Sequence, residues 1–153
     1  MRILIDGDAC PRVKKIEEIA QKYSVNLILY CDIYHNINLD YGRVKVVDSG
    51  FQSVDMYIIN ECKEEDIIIT QDYGVAAIAL NKKCFCINPN GFIYNNDNIN
   101  KLLFERHLKS KIRQSGGRIK GPKKRSEKDD VALEKSLIGL LELEKDKELK
   151  NPR

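Results

Sequence analysis

Short apolar runs alternate with segments of helical length through the first hundred residues of this chain. Five of these runs predict strands, at 2–5, 26–31, 43–47, 67–70 and 84–87. The runs are near-continuous and rich in Ile, Val and Leu, which is typical of strands buried on both faces. Because helix-length segments separate them, right-handed crossovers would bring them into a parallel sheet. The pattern predicts an α/β fold with an open, mainly parallel sheet and flanking helices.

Helical spacing predicts three helices within the same hundred residues, at 11–24, 53–63 and 73–82. Pro11 suits the first turn of the first helix, where its missing N–H costs nothing. An apolar stripe at helical spacing runs along that helix, at Val13, Ile16, Ala20 and Tyr23. Ser53 is a suitable N-cap for the second helix. These helices supply the connections that a parallel sheet needs.

The last third of the chain has a different composition. A basic helix is predicted at 98–115, with Phe104, Leu108 and Ile112 on its apolar face. A loop with three glycines and one proline follows at 116–125. A closing helix is predicted at 129–145, with a buried leucine stripe at Leu133, Leu137, Leu140 and Leu141. The 153 residues indicate one domain, 1–145, with its core at 1–97, the basic helix and loop at 98–128, and a flexible tail at 146–153.

The net charge of +3 is the sum of very unequal parts. Residues 101–125 hold ten Lys and Arg side chains against one acid, whereas 1–100 have a balance of −4 and 126–153 a balance of −2. Such a basic stretch is the footprint expected for binding a phosphate backbone. Eight cations are predicted to bind nucleic acid: Arg106, Lys109, Arg113, Arg118, Lys120, Lys123, Lys124 and Arg125. Aromatic residues are sparse there, so backbone contact is predicted rather than base stacking.

Carboxylates follow several of the predicted strands. Asp6 and Asp48 come directly after the first and third, and Asp72 lies two residues after the fourth. Asp8 lies just beyond Asp6, and Asp55 lies in the first turn of the helix after the third strand. The carboxyl ends of parallel strands meet at one edge of the sheet, so these acids are expected to converge. Converging carboxylates repel one another, and oxygen ligands favour Mg²⁺ or Mn²⁺ among them.

Five residues are therefore candidate metal ligands: Asp6, Asp8, Asp48, Asp55 and Asp72. Asp6, Asp55 and Asp72 are also the candidate catalytic residues, and the candidate supporting residues are Thr70, Ser49 and Asn88. Such a cation polarises a phosphodiester and helps to generate a hydroxide nucleophile. With the basic stretch beside it, the acidic edge predicts metal-dependent cleavage of nucleic acid, with RNA as the expected partner.

Each of these features also has an ordinary structural explanation. Asp is common in turns and at helix N-termini, so Asp8 would cap the first helix and Asp48 would start a turn. Asp32, after the second strand, is interpreted as a turn residue. An acid in a first helical turn, such as Asp55, is favoured by the helix dipole. The basic loop at 116–125 would be a solvated linker.

The five cysteines are odd in number and lack the spacing of a disulfide framework. Cys84 and Cys86 are interpreted as small buried apolar residues. Cys10 lies at a helix N-terminus, where a thiol pKa can fall, and a catalytic role for it is the alternative. No apolar run approaches the ~18 residues of a membrane span. A cytoplasmic location without a membrane partner is expected.

Four motifs occur in order: Asp6-Gly-Asp-Ala-Cys-Pro11, Val47-Asp-Ser-Gly-Phe51, Asp66-Ile-Ile-Ile-Thr-Gln-Asp-Tyr-Gly74, and Gly117-Arg118 with Gly121-Pro122. Together they resemble the YaiI/YqxD family of uncharacterised bacterial proteins, which is similar in turn to PIN-like nuclease domains. The resemblance implies a PIN-like fold around Mg²⁺ or Mn²⁺. It implies that Asp6, Asp55 and Asp72 are the three acids of that site and that Thr70 orients Asp72.

The chain departs from the PIN-like pattern at two places. Asn88 and Asn90 stand where such sites often carry a fourth acid, and Gln52 stands where many relatives are expected to have Asp. Asp8 or Asp48 would fill the gap.

Two other functions fit parts of the sequence. Asp6-Gly-Asp8 after a first strand also resembles the Asp-x-Asp of haloacid-dehalogenase-type phosphatases, in which the first Asp is the nucleophile. Thr70, at the end of a later strand, would fit that family's second motif. A non-catalytic RNA-binding module, whose acids hold a structural ion, is the remaining alternative.

Overall fold

Six strands form one sheet in the computed structural model, which describes residues 1–7, 10–48, 53–121 and 123–151. They are β1 (Arg2–Asp6), β2 (Asn26–Asp32), β3 (Arg43–Val47), β4 (Ile67–Ile69), β5 (Phe85–Ile87) and β6 (Ile93–Tyr94). Their order across the sheet is β3-β2-β1-β4-β5-β6. Neighbours are parallel except β5 and β6, which are antiparallel. The predicted α/β fold with a mainly parallel sheet is confirmed.

The sheet is covered on both faces by helices. These are α1 (Val13–Lys22), α2 (Val54–Glu61), α3 (Tyr73–Asn81), α4 (Asn96–Gln114) and α5 (Glu127–Lys150). Helices α1 and α5 pack on one face, where Ile3 and Ile5 of β1 point, and the leucine stripe predicted for the closing helix is buried there. Helices α2, α3 and α4 pack on the other face, over Leu4 and Ile68. Burial on both faces explains why the strands are apolar at successive positions.

Helix α1 begins at Val13, two residues later than predicted. Its N-cap is Arg12, whose φ of 63° places it in the left-handed region, and Pro11 lies before the helix rather than in its first turn. The Arg12 guanidinium lies 3.7 Å from Asp130 and 3.9 Å from Glu134 of α5. These long-range ion pairs favour a local conformation that the proline pattern alone did not predict.

Strand β6 was not predicted, because two residues are too few to leave a periodic pattern. The chain reverses between β5 and β6 at Gly91, whose φ is 91°. A Cβ at Gly91 would lie 2.4 Å from the backbone carbonyl carbon of Ala132 in α5, and Ser136 Oγ donates to the Gly91 carbonyl at 2.5 Å. The turn therefore packs directly against the backbone of α5.

Helix α4 begins at Asn96, with Asn95 as its N-cap, and only its first turns contact the core. Ile99 is buried, whereas Phe104, Leu108 and Ile112 are 61%, 43% and 45% exposed. These three side chains share one face of α4 as predicted, and that face is largely exposed. Spacing shows which side chains share a face of a helix, but it does not show whether another element covers that face. In the described chain, no other element covers this face of α4.

Helix α5 starts at Glu127 and continues to Lys150, five residues beyond its predicted end. Lys147, which the sequence placed in a flexible tail, forms an ion pair with Glu65 at 2.5 Å. This contact between the last turns of α5 and the loop before β4 supports the extension. Among the described residues, no helix is long and apolar enough to cross a membrane.

The segment between β2 and β3 is tied to α1 by a buried carboxylate. Glu17 is 5% exposed, and its Oε2 accepts hydrogen bonds from the backbone N–H groups of Tyr41 and Gly42, at 2.7 and 2.9 Å. Burial raises the pKa of Glu17, but the hydrogen bonds from Gly42 and Tyr41 and the charge of Lys14 outweigh burial, so the net pKa is lowered.

We expect Glu17→Gln to reduce the free energy of unfolding by about 1–3 kcal/mol near neutral pH, because the buried N–H groups lose a charged acceptor. Since the folded pKa is lowered, the carboxylate stabilises the fold above its ordinary pKa, and this stabilisation is lost as the pH falls through the folded value. Urea unfolding of both proteins over an acidic pH series measures the difference. A difference that grows as the pH falls would contradict this account.

Candidate functional site

The connections of the sheet reverse direction between two central strands. From β1 the chain proceeds to β2 and β3 on one side, whereas β4 leads to β5 and β6 on the other. In open α/β sheets, the crevice at such a reversal is the usual ligand site. Ile5 of β1 pairs with Ile69 of β4, so Asp6 and Thr70 follow side by side at the mouth of the crevice. Two of the predicted site residues thus lie where the topology favours a ligand.

The chain leaves β1 in close contact with β2. Gly7 is buried, and its N–H donates to the Tyr30 carbonyl at 2.8 Å. A Cβ at Gly7 would lie 2.5 Å from Leu29 Cδ2 and 2.8 Å from the Tyr30 oxygen. The Gly in the Asp6-Gly7 motif is therefore required by packing.

Asp72 is the N-cap of α3. Its Oδ1 accepts from the N–H groups of Gly74 and Val75, at 2.8 and 3.2 Å, and lies 3.6 Å from Nη1 of Arg106 on α4. The Thr70 hydroxyl oxygen accepts from the Asp72 N–H at 3.0 Å. The structure thus gives Asp72 a helix-capping role, and Thr70 has the position that an orienting residue requires.

Asn88 supports the same edge from β5. Its Nδ2 donates to the Tyr94 hydroxyl at 2.7 Å, and that hydroxyl donates to the Thr70 carbonyl at 3.2 Å. The Asn90 N–H donates to Asn88 Oδ1 at 2.9 Å, which holds the turn before β6. Burial raises the pKa of Tyr94 to about 12, so this hydroxyl remains a donor at neutral pH. Asn88 therefore acts as a structural link between β5 and the end of β4.

A cleft of about 560 Å³ opens at this edge. Its polar wall comes from the ends of β4 and β5, and its cationic wall comes from the glycine- and proline-containing loop. The side chains that shape it include Gln71, Tyr73, Asn88, Asn90, Lys123 and Lys124. Gln71 and Tyr73 were missed as cleft residues; the signal available was their place beside Asp72 in the motif at 66–74. Asn90 was named only as standing where PIN-like sites often carry a fourth acid. We call this space the main cleft.

Arg125 anchors the basic loop beside the main cleft. Its Nε donates to Asp130 Oδ1 and its Nη1 to the Pro89 carbonyl, both at 2.8 Å, and its Nη2 lies 2.6 Å from Asp130 Oδ1. The charge of Arg125 is therefore largely paired within the protein. Lys123 and Lys124, one and two residues earlier, are exposed. The predicted nucleic-acid-binding role thus fits these two lysines better than Arg125.

The basic face of α4 forms a second, smaller cleft of about 170 Å³. Arg106, Lys109 and Arg113 line it together with Tyr73 and Leu102. We call this space the side cleft. Its three cations are those predicted from their spacing on the helix, and they lie together as expected. The other two predicted cations, Arg118 and Lys120, are exposed in the segment between α4 and α5.

The predicted metal ligands do not form a compact cluster in the described part of the chain. Within residues 1–7, 10–48, 53–121 and 123–151, no three His, Cys, Asp or Glu side chains are grouped so that they could hold a metal ion. Asp48 follows the edge strand β3, and two strand spacings put it about 10 Å from β1. Asp55 lies in the first turn of α2, which packs over β1 and β2. The described donors therefore do not by themselves fit Mg²⁺ or Mn²⁺.

Four further predictions concern Asp8, Ser49, Asp32 and Cys10. Asp8 and Ser49 lie outside the described residues. Asp32 accepts from the Tyr34 N–H at 2.9 Å and from His35 Nδ1 at 2.7 Å, as expected for a turn residue. The suggested low pKa of Cys10 was wrong, because burial raises its pKa to about 12 although Arg125 lowers it.

Cys84 and Cys86 behave as predicted. Cys84 and Cys86 are buried, with 4% and 0% of their surface exposed, and both are free thiols. Burial raises the pKa of Cys84 to about 12. Both are therefore neutral apolar residues of the core.

Comparison with known protein families shows to which family the chain belongs. A family model described as an uncharacterised YaiI/YqxD family matches residues 4–143. The chain belongs to the YaiI/YqxD family. The matched range runs from β1 into α5, so it includes Asp6, Asp72 and both clefts.

Members of the family from clostridia are close in sequence and length. A UPF0178 protein of Clostridium novyi is 54% identical over 147 residues, which cover 96% of this chain and 99% of that protein. A UPF0178 protein of Clostridium tetani is 55% identical over 92% of this chain and 97% of its own length. One from Clostridium acetobutylicum is 41% identical over 92% and 97%. No solved structure matches the chain.

The capping role of Asp72 can be separated from its charge. We expect Asp72→Ala to lower the free energy of unfolding by about 1 kcal/mol, whereas Asp72→Asn retains the cap, because Asn is as good an N-cap as Asp. Chemical denaturation of both variants measures the difference. Equal stabilities for the two would contradict the capping role.

Proposed function

We propose that this member of the YaiI/YqxD family acts on RNA, binding its phosphate backbone in the main cleft and cleaving it beside Asp6 in the presence of Mg²⁺ or Mn²⁺. One observation carries the proposal. The main cleft is lined by Gln71, which lies between Thr70 and Asp72 after β4, and by exposed lysines of the basic loop, so that a polyanion bound there would lie next to the end of β4. The resemblance to PIN-like nucleases agrees with this assignment of roles.

The cations would bind RNA without reading its sequence. Lys123 and Lys124 supply mobile point charges, which suit phosphates in many positions. Arg106 lies 3.6 Å from Asp72, so its charge reduces the repulsion between that carboxylate and an approaching phosphate. The acidic edge is therefore accessible to a polyanion.

Binding of Mg²⁺ or Mn²⁺ would require a further ligand in addition to the carboxylates that the structure describes. Asp6 has the most favoured position, at the reversal of the sheet, and Asp8 follows it two residues later. Asp48 lies at the same edge but about 10 Å from β1, by two strand spacings. Asp48→Asn is thus a matched control for Asp6→Asn, since both remove one strand-end carboxylate.

Replacing Lys123 and Lys124 by Ala should weaken RNA binding and flatten its salt dependence. Each lost phosphate contact lowers the slope of log affinity against log salt by about 0.7 for a single strand, or about 1.4 for both. Fluorescence anisotropy with labelled RNA over a KCl series, in EDTA, measures the slope. The control Lys22→Ala, Lys63→Ala removes the same charge at the opposite edge and should leave the slope unchanged. If the two double variants behave alike, the cleft does not bind the backbone.

Cleavage should require a divalent cation and Asp6. With Mg²⁺ or Mn²⁺, we expect Asp6→Asn to lower the rate of RNA cleavage about 100-fold or more, and Asp8→Asn to do the same, while Asp48→Asn retains activity. Gel analysis of labelled RNA, with EDTA as the metal-free arm, measures the rate, and thermal unfolding checks each fold. Cleavage that survives in EDTA or in Asp6→Asn would refute the metal-nuclease proposal.

The second candidate is a non-catalytic RNA-binding protein. It is favoured by the contacts of Asp72, whose Oδ1 is already bound by two backbone N–H groups and lies close to Arg106. Binding without cleavage at any metal concentration would support it. Turnover of para-nitrophenyl phosphate in the same assay, lost in Asp6→Asn, would instead support the phosphatase alternative.

A further inference from the structure

Tyr73 is the one side chain shared by the linings of the main cleft and the side cleft, as far as the described residues show. We infer that the two clefts form one groove for a single-stranded nucleic acid, and that the Tyr73 ring stacks on an unpaired base where they meet. This inference rests on the proposed RNA-binding role of the main cleft. It adds a substrate class, the single strand, and a base-contacting residue.

The ring of Tyr73 is held in place from behind. Tyr73 is the first residue of α3, directly after the Asp72 cap, so its backbone is fixed by the hydrogen bonds to Gly74 and Val75. Its ring packs edge to face with Tyr94, with centroids 5.9 Å apart and planes at 69°. Tyr94 is 2% exposed and is itself bonded to Thr70. A half-buried ring on such a support loses little conformational entropy when a base binds it.

Positive charge lies on both sides of this ring. Lys123 and Lys124 line the main cleft on one side, where Asp129 is the acid of the lining. Arg106, Lys109 and Arg113 line the side cleft on the other, where the acid is Glu105, so cations outnumber acids in both. A strand that passes over Tyr73 would therefore have cations beside the phosphates that precede and follow the stacked base. Cationic grooves with aromatic platforms are the usual means of binding single strands.

The aromatic ring of Tyr73 favours one strand over a duplex. A duplex keeps its bases stacked inside, where an aromatic ring in a narrow groove cannot reach their faces. Tyr73 can thus contribute binding free energy only when the base is unpaired.

The experiment compares three ligands, all in EDTA so that binding is measured without cleavage. They are a labelled single-stranded RNA, the same strand with abasic sites, and its duplex. By anisotropy, we expect the unmodified protein to prefer the single strand, and Tyr73→Ala to lower affinity for it about tenfold with little change for the abasic strand. Tyr73→Phe keeps the ring and should bind as the unmodified protein does.

Tyr34→Ala is the matched control. Tyr34 is 82% exposed at the same edge of the sheet, just after β2, and is not among the residues that line either cleft. Its removal should leave affinity unchanged. Thermal unfolding of Tyr73→Ala, together with its unchanged affinity for the abasic strand, separates loss of stacking from loss of fold.

The inference is overturned if Tyr73→Ala binds the single strand as well as the unmodified protein, or if the single, abasic and duplex RNAs bind equally. Either result leaves the proposed function intact when the protein still cleaves RNA with a divalent cation. Conversely, Tyr73-dependent binding without cleavage at any metal concentration removes the nuclease proposal and leaves the single-strand groove in place.

Discussion

The parallel pairing of β1 with both β2 and β4 is the constraint on which the rest of the molecule depends. Strand β1 is central and is paired on both sides. The strands that precede β4 in the chain, β2 and β3, lie on one side of β1, and β5 and β6, which follow β4, lie on the other side. This separation opens the crevice beside Asp6 and fixes the end of β4, where Thr70 and Asp72 follow. The helices then cover the two faces, and loops from both halves of the sheet meet at the carboxyl edge.

Carboxylates also place the basic part of the chain against that edge. Asp130 binds Arg125 and lies near Arg12, so the start of α5, the end of the basic loop and the start of α1 share one ionic contact region. Asp72 does the same for α4 through Arg106. The opposite charges of residues 1–100 and 101–125 therefore have a structural role through Asp72 and Arg106, whether or not a polyanion binds. Such partly exposed pairs fix geometry more than they add stability.

The sequence was sufficient for strands β1 to β5 and for the buried face of α5, because burial on both faces leaves a clear apolar pattern. It was insufficient wherever long-range contacts decide the local structure. The left-handed Arg12 contacts Asp130 of α5, which is far away in the sequence, and the exposure of Phe104 depends on what lies beside α4. The strand-end position of Asp72 could be predicted, but its capping bonds could not be told from a ligand role, since both require the same residue type at the same place. A base-contacting role for Tyr73 could not be predicted from the sequence, because that role is inferred from the position of Tyr73 between the two clefts.

Gly91 affects the position of the cationic wall of the main cleft, although it does not belong to that wall. Its missing side chain lets the turn before β6 rest on the backbone of α5 at Ala132, and the first turn of α5 carries Asp130, which holds Arg125. The position of the lysines relative to the strand ends thus depends on how closely two backbones approach each other, one residue from Asn90 in the lining of the cleft. Hydrogen exchange in the turn before β6 and ligand affinity at the cleft should therefore be coupled through the placement of α5 and the contact between Asp130 and Arg125.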